Sequence, residues 1–530
     1  MLGFDPVGGE EIRRRQKSEV RSQKRRACTR AFLILTPDFY LLLPASLRYT
    51  PRVNIRVCEG DLHLHNLHTR MPFKYGIATM THMPMAFVRV ALEVDGRTTL
   101  GVAADLLPPK WFTKDPAREV LDEIHEMLDV IETALETAEG LSAPSVFDLW
   151  QHLYDSQTAW ATAESKPPLL AHFGTSLVER AVMDAFCRAI AKPFHRALLD
   201  NDFGIRLGEL HSELAGFSPA AWLPAKPHNE IIVRHTVGLS DPLTDADIAR
   251  GEHLTDGLPQ SLVSNVRVYG LRHFKLKVNG DLAHDTERLR RIAHILQAEC
   301  GEHFAFTLDG NEQFKSFAEF RQFWETVRAD ESLKPFLTKL LFIEQPLHRT
   351  VALNKAAAAA LADWPERPPF IIDESDGELD SLPTALALGY DGTSHKNCKG
   401  VIKGVANRCL LAHRQKQSPT RPFLMSGEDL CNVGPVALLQ DLAVCAALGI
   451  KSVERNGHHY NAGLSQFPQE VQQQVLGTHY DLYHPSPAGW PTLTIERGRV
   501  ALGSVNEAAF GVKFLLNPGQ FTPADAWEWE

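Results

Sequence analysis

The chain has 530 residues, of which 44% are hydrophobic and 23% are charged, a composition typical of soluble globular proteins. This length allows more than one domain, or one large barrel with a smaller partner domain. A formal net charge of −10 argues against a general nucleic-acid binder, because no basic surplus is present to neutralise phosphates. The eight cysteines form no C-x-x-C pair, so neither a zinc ribbon nor a disulfide framework is indicated. Reduced thiols in a cytoplasmic protein are the simplest interpretation.

The first 50 residues differ from this average. Residues 11–30 are strongly basic, and a short apolar stretch interrupted by Pro37 and Asp38 follows them. The stretch is too short to span a membrane. We expect residues 1–50 to be a basic, disordered extension or an upstream extension of the reading frame. A signal for export is the less favoured alternative.

Residues 51–200 predict an α+β unit. Two segments have strand-like patterns, residues 53–60 and 85–105, and the second contains a hairpin signal at Asp95-Gly96. Helical spacing of apolar residues follows in three segments, which cover residues 116–139, 145–158 and 174–192. The C-terminal segment, residues 485–530, alternates like a hairpin without a following helix. We therefore expect it to return to this unit and complete it.

Residues 231–484 alternate between strand-like and helical segments. The eight strand candidates are IIVRHTV, HFKLKV, FAFTLD, LLFIEQ, PFIIDE, GTSHKNC, PFLMSG and IKSVERN. Several are continuously apolar, as strands covered on both faces should be. Eight strand–helix units in about 250 residues fit a (β/α)₈ barrel. The predicted fold class is α/β: a modified (β/α)₈ TIM barrel with an α+β N-terminal capping domain that the C-terminal segment completes.

Three carboxylates stand at the ends of three successive apolar runs. Asp309, Glu344 and Asp373 end FTLD, LFIE and FIID. In a barrel these positions share one edge of the sheet, where active sites lie. Each acid alone would commonly be a helix cap or part of a surface ion pair. Together they are the hard oxygen ligands that a Mg²⁺-type cation requires, so we predict a metal site.

Lysines lie on the strands before and after these acids. Lys275 and Lys277 share one face of the second barrel strand, because strand side chains alternate. Two inward lysines should lower each other's pKa, which suits one of them to act as a base. Lys396 lies on the sixth strand, but Lys399 and Lys403 are close by, so spacing alone does not single it out.

These motifs together resemble the enolase superfamily, in particular its mandelate-racemase and muconate-lactonizing branch with a K-x-K strand. The resemblance covers roughly residues 53–515. It includes the segment ERAVMDAFCRAIAKPFHRALL, which is similar to the helix that leads into the barrel in that family. Sites of this superfamily use a lysine or histidine base beside Mg²⁺.

The resemblance implies a role for each residue of the motifs. The predicted metal ligands, for Mg²⁺ or alternatively Mn²⁺, are Asp309, Glu344 and Asp373. The predicted catalytic lysines are Lys277 and Lys396, on opposite faces of the substrate. The predicted supporting residues are Lys275, which tunes Lys277, Glu374, which pairs with Lys396, and Glu428, which follows the seventh strand. The segment PFKYGIATMTHMPM resembles the mobile loop that covers the substrate, so Lys74 and Tyr75 are candidate substrate contacts.

The resemblance also implies a reaction. A base removes the proton α to the carboxylate of a small substrate, and a divalent cation stabilises the resulting enediolate. Two lysines favour racemisation, epimerisation or cycloisomerisation. A lyase, such as a sugar-acid dehydratase, is the alternative, although it should carry a His–Asp pair on the sixth and seventh strands, which is not evident. A noncatalytic carboxylate-binding barrel is the third hypothesis. A homo-oligomer is expected, and no nucleic-acid or membrane partner is.

Overall fold

The computed structural model describes residues 54–529, which form one compact unit. The expectation of a disordered extension at residues 1–50 lies outside the described residues. Within the described part of the chain, no helix is long and apolar enough to cross a membrane.

An antiparallel sheet forms the capping domain. Its long strands are β1 (Ile55–Tyr75), β2 (Ala78–Val94) and β3 (Arg97–Leu106), joined in sequence by two hairpins. The predicted turn at Asp95-Gly96 joins β2 to β3, and both residues have positive φ, as the tight hairpin turn requires. Two short strands also pair with β1: β4 (Ser142–Ala143) at its start and β16 (Thr522–Pro523), from the C-terminus of the chain, near its middle.

Three helices cover this sheet. They are Val120–Ala138, Val146–Ala163 and Pro168–Ala189. On the first, Ile124, Leu128 and Ile131 are buried as the apolar stripe predicts, whereas Leu121 is 37% exposed. The third helix is buried along nearly its whole length, because it lies between the capping sheet and the barrel. Gly101 permits this approach, since a Cβ there would lie 2.2 Å from the carbonyl oxygen of Ala181.

Eight parallel strands form a closed barrel. In chain order they are β5 (Glu230–Val237), β6 (His273–Lys277), β7 (Ala305–Asp309), β8 (Leu340–Glu344), β9 (Phe370–Ile372), β10 (Gly392–His395), β11 (Leu424–Gly427) and β12 (Ser452–Arg455). Each strand pairs with the next, and β12 pairs with β5 to close the ring. The predicted fold class is confirmed, and all eight strand candidates form barrel strands.

The longer barrel helices follow the strands. They are Leu262–Tyr269, Leu282–Cys300, Phe317–Ala329, Lys355–Ala362, Ser381–Leu388, Val401–Gln417, Ala437–Ala447 and Gln469–Thr478. Shorter helices are Phe194–Leu199, Leu207–Leu210, Lys334–Leu337, Arg349–Ala352, Gly457–Tyr460 and Gly503–Glu507. Most barrel helices therefore lie between consecutive strands, as in the βα repeat.

Two features differ from the sequence expectations. The predicted mobile loop is a continuous strand pair, in which β1 and β2 run on to a turn at Gly76-Ile77. The C-terminal segment divides: β13 (Tyr483–Pro485) and β14 (Pro491–Leu493) form a ribbon, and β15 (Arg499–Ala501) pairs with barrel strand β5. From the predicted segment, β16 is the strand that joins the capping sheet.

Candidate active site

The predicted metal ligands lie side by side at the C-terminal edge of the barrel. Asp309 and Glu344 end β7 and β8 and are direct partners in the strand register. Asp373 follows β9 immediately. All three side chains are buried. Neighbouring strands are about 4.8 Å apart, so the shared register is what brings these carboxylates together.

A fourth acid enters this cluster from another strand of the barrel. Glu428 directly follows β11, and one carboxylate oxygen each of Glu344, Asp373 and Glu428 lie within 4.8 Å of one another. Asp309 is not in this group. Its Oδ2 accepts a hydrogen bond from Lys277 Nζ at 2.6 Å and lies 3.0 Å from Lys275 Nζ. The group of acids best placed for one cation thus differs from the predicted set by one member.

Lys275 lies at the centre of the acids. Its Nζ is 2.9 Å from carboxylate oxygens of Glu344, Glu428 and Glu454, and 3.0 Å from Asp309. Burial opposes the charge on Lys275, but the surrounding carboxylates outweigh it and hold the pKa well above its ordinary value. The expectation that paired lysines depress this pKa is therefore wrong for Lys275. The sequence shows the neighbouring lysine but not the carboxylates that other strands bring to it.

The two predicted catalytic lysines face each other across the barrel. Lys277 ends β6 and Lys396 follows β10, and these strands are four positions apart in either direction round a ring of eight. Lys396 Nζ contacts Asp373 Oδ2 at 2.8 Å and Glu428 Oε2 at 2.7 Å. Both lysines line the same cavity, which has about 440 Å³ of empty volume. The barrel thus places one amine on each side of the acid cluster.

Glu344 and Glu428 have opposite electrostatic environments. Burial, together with the nearby charge of Glu428, raises the pKa of Glu344 well above its usual value. Burial also opposes ionisation of Glu428, but Lys275, Lys396 and Arg234 lower its pKa well below the usual value. The pKa values of these two neighbouring carboxyl groups are therefore shifted in opposite directions.

The donor set fits a divalent cation. It consists of hard carboxylate oxygens from three residues, which is the chemistry that Mg²⁺ prefers. In addition, Glu344 Oε2 is buried without a hydrogen-bond partner. A buried polar atom without a partner is costly, and a cation would satisfy it. Glu344, Asp373 and Glu428 are the residues placed to hold the ion, with Asp309 beside them.

Glu374 does not make the contact expected of it. The ion pairs of Lys396 among the described residues go to Asp373 and Glu428. Glu374 is buried, its Oε2 has no hydrogen-bond partner, and burial with the neighbouring charge of Asp373 raises its pKa to about 7. The expected ion pair between Glu374 and Lys396 is not formed, because Asp373 and Glu428 occupy the positions next to the Lys396 ammonium.

Three further charged residues belong to the site. Lys399 Nζ lies 2.7 Å from Asp373 Oδ1 and donates to the Asp373 carbonyl at 2.8 Å, so it fixes that carboxylate. Arg234, on β5, lies 3.2 Å from Glu428 Oε1. Glu454, on β12, holds Lys275. The sequence places Lys399 beside Lys396 as an alternative candidate, whereas Arg234 and Glu454 were not predicted. Glu454 could have been found, because it lies near the end of the eighth strand.

The capping domain forms the roof of the cavity. Phe73, Tyr75 and Met80, from the β1–β2 hairpin, line it together with Trp111. Tyr75 is thus a cavity residue as predicted, although its hydroxyl donates to the Pro109 carbonyl at 2.8 Å. Lys74 is exposed and is not among the lining residues. Lys74 lies on the face opposite Tyr75, because alternate strand residues point to opposite faces, and this position does not support the predicted contact with substrate.

Trp111 reaches the catalytic side of the cavity. Lys396 Nζ lies 5.2 Å from the centroid of its ring, within the range of a cation–π interaction. Arg349, from the barrel, donates to the Trp111 carbonyl at 2.8 Å and to the Phe112 carbonyl at 2.7 Å. Its guanidinium is held in turn by Glu312. The loop that carries Trp111 is therefore held against the barrel by these hydrogen bonds.

Comparison with known proteins supports the fold assignment. No family model and no curated protein matches the chain. A mandelate racemase/muconate lactonizing protein from Herpetosiphon aurantiacus is 16% identical, with a TM-score of 0.55 over 86% of this chain and 98% of that one. A dipeptide epimerase from Enterococcus faecalis, complexed with Mg and the dipeptide L-Leu-L-Tyr, is 15% identical, with a TM-score of 0.54 over 86% and 99%.

An enolase from Bradyrhizobium, complexed with magnesium and mandelic acid, is 14% identical, with a TM-score of 0.51 over 84% of this chain and 93% of that one. At these identities the likeness shows a shared fold. The described chain has the barrel and capping domain of the mandelate racemase and muconate lactonizing structures, which agrees with the resemblance seen in its sequence motifs.

Proposed function

We propose that this protein is a metal-dependent enzyme that removes the proton α to the carboxylate of a small substrate. Return of a proton to that carbon gives racemisation or epimerisation, and when the substrate carries an internal leaving group the same intermediate supports cycloisomerisation by its loss. The observation that carries the proposal is the placement of Lys277 and Lys396 on opposite sides of one cavity, next to the buried acid cluster. Neither a surface role nor a packing role accounts for two lysines in this arrangement.

The chemistry follows from these positions. A bound Mg²⁺ would act as a Lewis acid and stabilise the negative charge that develops on the substrate carboxylate. One lysine removes the α proton and the other returns a proton from the opposite face, which inverts the carbon. Lys275 remains an ammonium and supplies fixed positive charge near that carboxylate. The charged groups of the site are buried beneath the apolar roof, where such charges act more strongly than in water.

The cavity walls favour a substrate with an apolar body. The roof side chains Phe73, Met80 and Trp111 are apolar, and the Tyr75 hydroxyl is already used by Pro109. A polyhydroxylated sugar acid would lose hydrogen bonds to water there without replacing them, at about 1–3 kcal/mol for each buried group. This observation supports an isomerase of an apolar carboxylate over the alternative, an acid-sugar lyase.

Two amide side chains offer further recognition. Asn311 and Asn456 line the cavity, and the Oδ1 atom of each is buried without a hydrogen-bond partner. A substrate N–H or O–H group would satisfy such an acceptor. We therefore expect a carboxylate that carries one or two donors, such as an N-acyl amino acid, together with its apolar substituent. The third hypothesis, a noncatalytic carboxylate-binding barrel, does not explain why two lysines lie on opposite sides of one cavity beside a buried acid cluster. A cytoplasmic location and a homo-oligomeric state stay predictions.

Exchange of substrate α protons in D₂O tests the proposal. We would assay N-acyl amino acids, dipeptides and sugar acids with added MgCl₂, using both enantiomers of each chiral compound. We expect Lys277→Ala and Lys396→Ala each to abolish exchange from a different enantiomer. Lys403→Ala is the matched control, because Lys403 is equally buried but pairs with Asp376 outside the cavity. Full activity in both single variants would overturn the two-lysine mechanism.

A further inference from the structure

Two adjacent charged residues are buried in the helix between the capping sheet and the barrel. Glu179 is 1% exposed and Arg180 is fully buried. Burial of charged groups is expensive unless each has hydrogen-bonding partners. Their partners identify what the pair does, because the two side chains contact different parts of the active-site edge.

Glu179 binds the start of a barrel helix. Its carboxylate accepts hydrogen bonds from the backbone N–H of Ile402 at 2.6 Å and of Val401 at 3.1 Å. These are the first two residues of the helix Val401–Gln417, whose initial N–H groups lack partners within the helix. The helix dipole favours a negative charge there, whereas burial opposes it and raises the pKa of Glu179 to about 7. Gly400, at φ +102°, has a backbone conformation that favours glycine, and a Cβ there would lie 3.4 Å from the Glu179 carboxylate.

The start of this helix is joined directly to the catalytic segment. A short turn, Asn397–Lys399, connects it to Lys396, and the N–H of Lys399 donates to the Lys396 carbonyl at 3.0 Å. The Lys399 ammonium in turn holds Asp373. A displacement of the helix start would therefore move both the lysine on one face of the cavity and a candidate metal ligand.

Arg180 binds the neighbouring active-site segment through two intermediaries. It donates to Asp105 Oδ2 at 2.8 Å, and Asp105 Oδ1 accepts from Asn432 Nδ2 at 2.8 Å. Asn432 lies in the segment that follows β11 and that begins with Glu428. The amide oxygen of Asn432 also accepts from the Leu106 N–H of the capping sheet. The segment after β11 is thus fixed to the capping domain.

We propose that Glu179 and Arg180 form a clasp through which the capping domain positions the two barrel segments that carry Lys396 and Glu428. Both are positioning residues, since they act through the backbone of Val401 and Ile402 and through Asp105 and Asn432. The catalytic consequence of the clasp rests on the proposed function. The claim about position does not rest on the proposed function, because it concerns only how firmly the backbone segments after β10 and β11 are held in place.

The same helix offers a matched control. Asp184 is one turn further along, is 2% exposed, and also accepts a backbone hydrogen bond, from Val102 at 3.0 Å. Its ion-pair partner is Arg188 on the same helix. Asp184→Asn therefore perturbs an equally buried carboxylate that contacts the capping sheet rather than the barrel segments. A general loss of stability would affect both variants alike.

Hydrogen–deuterium exchange of the full chain, read by mass spectrometry, tests the positional claim. In Glu179→Gln we expect amides of residues 396–410 to exchange about tenfold faster, the size of effect that loss of one helix cap produces. In Asp184→Asn we expect that segment to be unchanged. If Glu179→Gln does not fold, Gly400→Ala disturbs the same contact from the barrel side. Equal effects of both carboxylate variants, or none in residues 396–410, would overturn the clasp.

Kinetics test the catalytic consequence. With a substrate whose α proton exchanges in D₂O, we expect Glu179→Gln to lower the saturating rate of α-proton exchange from the enantiomer served by Lys396, with little change in exchange from the other enantiomer. An equal loss for both enantiomers would contradict positioning of Lys396. If the wild type exchanges no substrate, the proposed function fails, and the hydrogen–deuterium result still decides whether the clasp exists.

Discussion

A Lys275→Met substitution removes the ammonium group around which four carboxylates converge. Methionine has a similar length and is apolar, so it perturbs charge more than packing. Removal of one partner from a buried ion pair costs about 3–5 kcal/mol. We expect a loss of that size in the free energy of unfolding in metal-free buffer.

Magnesium should reverse much of this loss. A cation that binds only the folded protein, at about 100 times its dissociation constant, adds about 2.7 kcal/mol to its stability. The variant presents the same carboxylates without the competing charge of Lys275, so it should bind Mg²⁺ more tightly than the wild type does. Urea unfolding with and without MgCl₂ measures both effects, and isothermal titration measures the affinities.

Lys403→Met provides the control for this experiment. Lys403 is as buried as Lys275, but its carboxylate partner is Asp376, outside the acid cluster. We expect this variant to lose stability without any additional recovery in MgCl₂. The electrostatic account of the site is refuted if MgCl₂ stabilises both variants equally, or if Lys275→Met gains no more from it than the wild type.

Two further predictions concern the capping domain. Burial raises the pKa of Glu179 from 4.5 to about 7. The folded protein therefore binds this proton more tightly than the unfolded chain does, which adds about 3 kcal/mol to the free energy of unfolding below about pH 4.5. This contribution is lost as the pH rises through about 7. Urea unfolding across this range should show a smaller decline for Glu179→Gln, and parallel profiles would contradict the assignment. In the cavity, Phe73→Ala should raise KM at least about tenfold by removing apolar contact worth roughly 1.5–3 kcal/mol. Lys74→Ala should leave KM unchanged, and steady-state kinetics that show the reverse would contradict the placement of β1.

The barrel was predictable because its strands are local features of the sequence. Runs such as FAFTLD and LLFIEQ are apolar on both faces, and helices with a single apolar face separate them. Matching positions on neighbouring strands then place Asp309 beside Glu344 without further information. The hairpin over the cavity was less predictable, since the turn and strand residues of PFKYGIATMTHMPM also fit a loop.

Contacts across the barrel could not be predicted from the sequence. Glu428 and Glu454 reach Lys275 from β11 and β12, which are three and two strands away from β6 round the ring, and their distances depend on the curvature of the closed sheet. The wrong pKa expectation for Lys275 has this origin. Short-range spacing reveals the like charge two residues away, whereas the carboxylates that determine the result are more than 30 residues distant in the chain.

The contacts also distinguish the two lysines of the K-x-K strand. Lys275 has four carboxylates within 3.0 Å, which fix its position and its charge. Lys277 contacts Asp309 alone among these acids, and its side chain faces the cavity. A base must give up its proton and move toward the substrate, and a group held by four anions can do neither. The geometry therefore supports Lys277 as the proton carrier and Lys275 as fixed charge. Exchange activity should survive Lys275→Arg better than Lys277→Arg, because an arginine preserves charge but cannot act as a base at neutral pH.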